Sequence, residues 1–260
     1  MLNYRRLPTE EDLPYTDDQP VDSELQTLVP SLLATVLTVL WCDRTDWFFG
    51  INLGLYYDPE LPAIVPDGFL SLGVPLLKHP NGRLSYLIWQ ENGVVPLLAI
   101  EHVSQKYNNE YDTKLSTYRQ IGIPYVVIYN PVYWKRRKRQ PLEVYQLIQG
   151  DYVLQTSEPF WIPELNLGIG RAKGIYRGWE REWLYWFDQA GNRLLVPEEQ
   201  LRQVEQRLAV ERRRVTEALW QAEQERQRAE QAIDLAQQER ERRDRLAARL
   251  RELGVDPDSV

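Results

Sequence analysis

Leu97-Leu98-Ala99-Ile100-Glu101-His102-Val103 decides how the chain is read, because it is an apolar run broken in its middle by one acid. A near-continuous apolar run, Val94 to Val103, is the mark of a strand buried on both faces of a sheet. Side chains alternate along a strand, so Glu101 and Val103 share one face and His102 points to the other. A carboxylate buried between Ile100 and Val103 is costly unless it finds a partner or a cation. Such an acid is more often a hydrogen-bonded structural residue than a ligand, and so its surroundings must decide.

Downstream, Asn109 to Gln120 reads as a helix closed by Gly122. Lys114 and Tyr118 lie four residues apart on one face of it, a face that can look back over the end of the Glu101 strand. Pro124 to Tyr129 is a second buried strand, and Leu142 to Ile148 with Tyr152 to Gln155 forms a hairpin around Gln149-Gly150-Asp151. Upstream, strands are expected at Trp47–Tyr57, Ala63–Leu72 and Leu84–Trp89. The second of these carries Pro66-Asp67, and a proline there suits a strand edge or bulge from which a carboxylate can leave the sheet. A helix capped by Asp22 or Ser23 precedes them, with Leu25, Leu28, Val29, Leu32, Leu33, Val36 and Leu40 at near-helical spacing. Pro30 marks a kink or a second start in it. Strands gathered around two helices point to an α/β fold, a mixed sheet with helices on its faces. A tryptophan-rich segment, Trp161 to Trp186, closes the domain.

Composition sets the boundaries. Residues 1–20 are polar and rich in Pro and Asp and read as an arm, and residues 21–196 hold most of the apolar content. From Pro197 to Leu253 there is no lysine and no glycine, only a long Glu/Gln/Arg/Ala pattern, followed by a flexible tail at 254–260. One heptad frame places Leu201, Leu208, Val215, Ala222, Ala229, Ala236, Arg243 and Leu250 at position a. Its d positions are Val204, Glu211, Ala218, Glu225, Ala232, Glu239, Leu246 and Leu253. The ends make coiled-coil seams and the middle is alanine and charge. A long helix follows, and a homodimer through it is one expectation. A solvated helix held by i,i+4 Glu–Arg pairs, or one that binds another protein, is the alternative.

The net charge of −7 argues against a passive nucleic-acid coat, though not against an enzyme with a local basic rim. Cys42 is the only cysteine, and His79 and His102 are the only histidines. That removes an internal disulfide, cysteine-ligated zinc and most histidine-ligated zinc schemes. The first residues lack the apolar run of a signal peptide, and Leu28 to Trp41 is too short to span a bilayer. A soluble, cytoplasmic protein is expected.

Asp67, Glu101 and Lys114 are three separated pieces at the edges of apolar segments. Two carboxylates suit a hard divalent cation and a lysine can orient a water, which is what metal-dependent phosphodiester hydrolysis needs. Each piece alone is weak. Asp67 can be a strand-end acid, and most helix lysines are solvent residues. Lys135-Arg136-Arg137-Lys138-Arg139 is a natural phosphate contact or, equally, a solvated loop. Gly168-Ile169-Gly170-Arg171-Ala172-Lys173-Gly174 matches neither the dinucleotide nor the Walker pattern and is set aside. The tryptophans at 161, 179, 183 and 186 read as core rather than a base-stacking platform.

The order of these pieces resembles the PD-(D/E)XK nuclease superfamily and, more closely over residues 1–190, the Uma type of restriction-endonuclease-like proteins. The residues that carry the resemblance are Pro66-Asp67, Glu101-His102-Val103-Ser104, Lys114-Leu115-Ser116-Thr117-Tyr118 and Asn130-Pro131. The superfamily lysine two residues after the acid is replaced by Val103. In the Uma type the lysine is taken to have migrated to the helix, which would make Lys114 its counterpart. The family usually continues Ser-Pro-Ser-Thr after the Glu-x-Val, where this chain has Ser104-Gln105-Lys106-Tyr107.

The resemblance implies a restriction-endonuclease-like sheet and metal-dependent endonuclease chemistry. Asp67, Glu101 and the backbone carbonyl of Val103 would bind Mg²⁺ or Mn²⁺, and Lys114 would position the attacking water. Tyr118 would hold the lysine or a phosphate, and, from the basic run itself rather than the resemblance, Lys135, Arg136 and Arg137 are the candidate contacts to a DNA backbone. Glu24, on the first helix, is a further acid that could shape the site. The residues leave RNA open as a substrate. They also leave open a non-catalytic scaffold that recruits partners through its helix.

Overall fold

The computed structural model describes residues 7–14, 23–105, 109–252 and 254. Asp22, Lys106, Tyr107 and most of the 254–260 tail lie outside that set. The chain divides into two compact units between Gln200 and Leu201.

The first unit is built on a six-stranded mixed sheet, comprising β1 (Trp47–Ile51), β3 (Gly68–Leu72), β5 (Leu98–His102), β6 (Tyr125–Tyr129), β7 (Leu142–Ile148) and β8 (Asp151–Gln155), in that spatial order. The β5–β6 pair is parallel and every other pair is antiparallel. Parallel neighbours need a crossover, and α2 (Thr113–Ile121) supplies it. Gly122 ends α2 in the left-handed region at φ 86°, where a glycine pays no steric penalty. The β7–β8 hairpin turns on Gln149 and Gly150, both at positive φ, as the twist of a tight hairpin demands.

Each face of the sheet is covered. On one face lies α1 (Glu24–Leu40), which buries Val29, Leu32, Leu33, Val36 and Leu37 against Leu70, Leu98, Ile100 and Val127. A second, three-stranded antiparallel sheet shares that core: β9 (Phe160–Ile162), β10 (Leu167–Tyr176) and β11 (Trp179–Phe187). Trp183 and Trp186 are fully buried in it, and the Trp186 indole donates to the Leu33 carbonyl of α1 at 3.0 Å. Trp161 is half-buried and Trp179 is exposed, so only part of the tryptophan set is core. The glycine-rich stretch 168–174 lies along β10 and forms no phosphate loop. On the opposite face, α2 and the short parallel pair β2 (Leu55–Tyr56) and β4 (Tyr86–Leu87) cover Phe69, Ala99, Val126 and Ile128.

Three local expectations are corrected. Helix α1 is one helix through Pro30, so no second start falls there. The proline ring packs where Gly68 has no side chain, since a Cβ there would come within 2.7 Å of Pro30 Cβ. The expected strand 47–57 is split, because Asn52 takes φ 48° and ends β1 before β2 begins. The expected strand 63–72 begins only at Gly68, in the interior of the sheet between β1 and β5, so Pro66-Asp67 precedes it and is no edge device. Pro66 has no N–H to give a ladder.

The described part of the N-terminal stretch is docked. Glu10 is buried and accepts the Leu84 backbone N–H at 2.7 Å, and the Trp89 indole donates to the Pro8 carbonyl at 2.9 Å. The second unit continues α3 (Pro197–Glu252), a single helix of 56 residues with none buried. Among the described residues no helix is long and apolar enough to cross a membrane.

Candidate functional site

The β3–β5 register pairs Gly68 with Ile100, which brings Asp67 opposite Glu101. Both carboxylates are shut away from water, Glu101 at 1% exposure and Asp67 at 6%. Asp67 Oδ2 accepts the backbone N–H of His102 at 2.6 Å, and Gln26 Nε2 lies 3.5 Å from Oδ1. Helix α2 delivers the other two groups. Lys114 Nζ donates to Glu101 Oε2 at 2.8 Å and to the Val65 carbonyl at 3.1 Å, and the Tyr118 hydroxyl donates to Glu101 Oε1. One turn of helix separates Lys114 from Tyr118, so one α2 face holds both oxygens of one carboxylate.

The electrostatics follow from this crowding. Burial, then the Glu101 charge, pushes the Asp67 carboxyl well above the usual carboxylate range, against the opposing pull of Lys114 and the His102 N–H. Burial works against the charged form of Lys114, but Glu101 and Asp67 outweigh it and raise its pKa. Burial and the neighbouring Glu101 raise Tyr118 far above an ordinary phenol, so it stays a donor.

Sequence reasoning missed two residues. Glu110 is 1% exposed, and its charge acts on both Asp67 and Lys114. Its spacing four residues before Lys114 was the available signal. Gln26, rather than the exposed Glu24, faces the site from α1. Two residues along a helix are about 200° apart, so only one of that pair can face the sheet. Gln26 also turns back to accept the Ser23 backbone N–H at 3.1 Å, and the Ser-x-x-Gln spacing was legible as a helix start.

Val103 is buried beside Tyr118 in the same core, and its N–H is taken by the Tyr129 carbonyl at 2.9 Å. His102 points to the other face, buried, with neither ring nitrogen hydrogen-bonded among the described residues and its ring edge-on to Tyr129. Lys135 is exposed on the 3₁₀ turn Trp134–Arg137, its ammonium 5.2 Å from the Trp134 ring. The side chains of Arg136 and Arg137 lie outside the described set. Arg139 is anchored, 3.7 Å from Glu143 and stacked over the Tyr111 ring at 4.3 Å. Asn130 ties that end of β6 to Tyr111 at 3.2 Å.

Among the described residues no three His, Cys, Asp or Glu side chains cluster as a complete metal cage. Asp67 and Glu101 nonetheless fit one class of cation. Mg²⁺ keeps several waters and is held by one or two carboxylates plus substrate phosphates, not by an all-protein cage. Each Glu101 oxygen still has a lone pair beyond the bond it accepts. A cation between the two acids would also relieve the repulsion that raises Asp67.

A search of curated proteins found no match to the chain. A family model does match, over residues 3–172, under the description "Uma2: Putative restriction endonuclease". The description points to a nuclease, and the matched segment contains Asp67, Glu101, Lys114 and Tyr118. The mixed sheet with its flanking helices is thus a restriction-endonuclease-like fold, and the chain belongs to the Uma2 family.

Proposed function

We propose that the chain is a divalent-metal-dependent endonuclease that hydrolyses phosphodiester bonds of DNA in the cytoplasm. The observation that carries this reading is the buried Asp67–Glu101 pair with Lys114 bonded to it at 2.8 Å. Asp67, Glu101 and the Val103 carbonyl are the groups that would hold Mg²⁺ or Mn²⁺. A cation bound there polarises a phosphate oxygen and makes a bound water more acidic. Lys114, kept protonated by its carboxylate neighbours, orients the attacking water and offsets the charge that develops on the phosphate. Tyr118 fixes the rotamer of Glu101 from behind. Lys135, Arg136 and Arg137 meet the phosphates flanking the scissile bond, where their charge counters the chain's overall −7.

A non-catalytic scaffold is the second reading, and the observation that favours it is the occupation of both Glu101 oxygens by Tyr118 and Lys114. Calorimetric titration with Mn²⁺ separates the two. Saturable binding that Asp67→Ala and Glu101→Ala each abolish is expected of the enzyme. Absence of binding in the folded native protein would sink the assignment, because a scaffold has no need of a cation.

A further inference from the structure

The exposed residues of α3 carry a pattern that the nuclease reading does not use. Leu208 and Leu246 are 49% and 58% exposed, and seam positions at both ends are apolar while the middle is alanine. Three seam positions are glutamates, Glu211, Glu225 and Glu239, spaced at two heptads. Flanking positions carry arginines in pairs, namely Arg212 with Arg214, Arg226 with Arg228, and Arg240 with Arg242.

We propose that α3 pairs with the α3 of a second copy of this chain, antiparallel and symmetric about Gln227. In this register Val204 meets Leu250 of the other helix and Leu208 meets Leu246. Ala218 meets Ala236 and Ala222 meets Ala232, so the backbones approach closely at the centre. Glu211 meets Arg243, with Arg240 and Arg242 beside it. Glu225 enters between Arg226 and Arg228, and Glu239 between Arg212 and Arg214. Every seam glutamate therefore faces at least two arginines of the other copy. Outside the seam, Leu219 and Ile233, both exposed, fall beside each other.

The alternatives conflict with the same residues. A parallel, in-register pair stacks Glu211, Glu225, Glu239 and Arg243 each on its own copy, four like-charge layers in a seam that excludes water. It also sets Leu219 and Ile233 against arginines. Sliding the antiparallel pair by one heptad puts Glu239 on Leu208 in one direction and Glu211 on Leu250 in the other. The two copies of Leu201 then lie at opposite ends of the paired helices, about 80 Å apart along the axis at 1.5 Å per residue.

This inference goes beyond the nuclease reading and does not rest on it, and its test involves neither metal nor cleavage. Full-length chains in which the only cysteine is replaced, Cys42→Ser, would carry either Leu208→Cys or Leu246→Cys, one of them with a size tag. After mild oxidation, a disulfide-linked dimer is expected in the mixture of the two and in neither alone. The pair Ala218→Cys and Ala236→Cys repeats the test where no leucine is lost. Self-linking of Leu208→Cys or Ala218→Cys would overturn the proposal in favour of a parallel pair. A monomer in sedimentation, with no link in either mixture, would overturn pairing altogether.

Discussion

Lys114 Nζ lies 2.8 Å from Glu101 Oε2, an ion pair whose side chains are 16% and 1% exposed. A pair this deep is costly to break on one side, because the orphaned carboxylate stays buried. In metal-free protein at neutral pH, Lys114→Met is expected to lose about 3–5 kcal/mol of stability, read as a lower urea midpoint. The pH dependence has a defined sign. The folded-state pKa of Lys114 is raised above 10.5, so its contribution is complete below the unfolded lysine pKa and is lost as pH rises through the folded one. The gap between native and variant should therefore close as pH rises into the alkaline range, and an unchanged urea midpoint at neutral pH would count against the ion pair.

Asp67 carries the opposite tension. Its raised pKa means that the folded state favours the protonated carboxyl, so its contribution is complete below the unfolded pKa and falls as pH rises through the folded value. Asp67→Asn is then expected to be at least as stable as the native chain at neutral pH without metal. Mn²⁺ should raise the melting temperature of the native chain and leave that of Asp67→Asn unmoved. The native increment should shrink on acidification, as the proton displaces the cation. Equal increments in the two proteins would place the cation elsewhere.

His102 offers a test of the opposite face of β5. Burial, then the charge of Arg181, depresses its pKa from 6.5 to about 4. A histidine with a lowered folded pKa contributes fully above its unfolded pKa, and that contribution is lost as pH falls through the folded value. The shift corresponds to about 3 kcal/mol at 1.36 kcal/mol per unit. His102→Phe, similar in size and without ring nitrogens to desolvate, should remove that part of the acid sensitivity between pH 6.5 and 4. Urea midpoints measured across that range would check it, and parallel pH profiles for the two proteins would refute it.

How much of this was legible in the sequence depended on how locally each feature is determined. The runs at 97–103 and 125–129 announced interior strands because both of their faces are buried. Gly122 and Gly150 announced their turns because glycine enters the left-handed region without strain. The meeting of Lys114 and Tyr118 on Glu101 followed from helix spacing once the order of elements was right. Long-range packing was not legible. The sheet formed by β9, β10 and β11 hid inside a tryptophan-rich segment whose only plain signal was the Arg177-Gly178 turn. The close packing of Pro30 in α1 depends on Gly68, a residue 38 positions away. Gln26 and Glu110 gained their places from tertiary contacts that neither residue type foretells.

The most direct measurement is cleavage of supercoiled plasmid by the native chain in Mg²⁺ or Mn²⁺, beside Asp67→Ala and Lys114→Ala proteins purified identically. Nicked or linear DNA is expected with the native chain, and none with either variant or with chelator. A folded native protein that binds the cation yet leaves the plasmid intact, or a Lys114→Ala variant that cuts as well as the native chain, would contradict the assignment of Asp67, Glu101 and Lys114 as a DNA-cleaving centre.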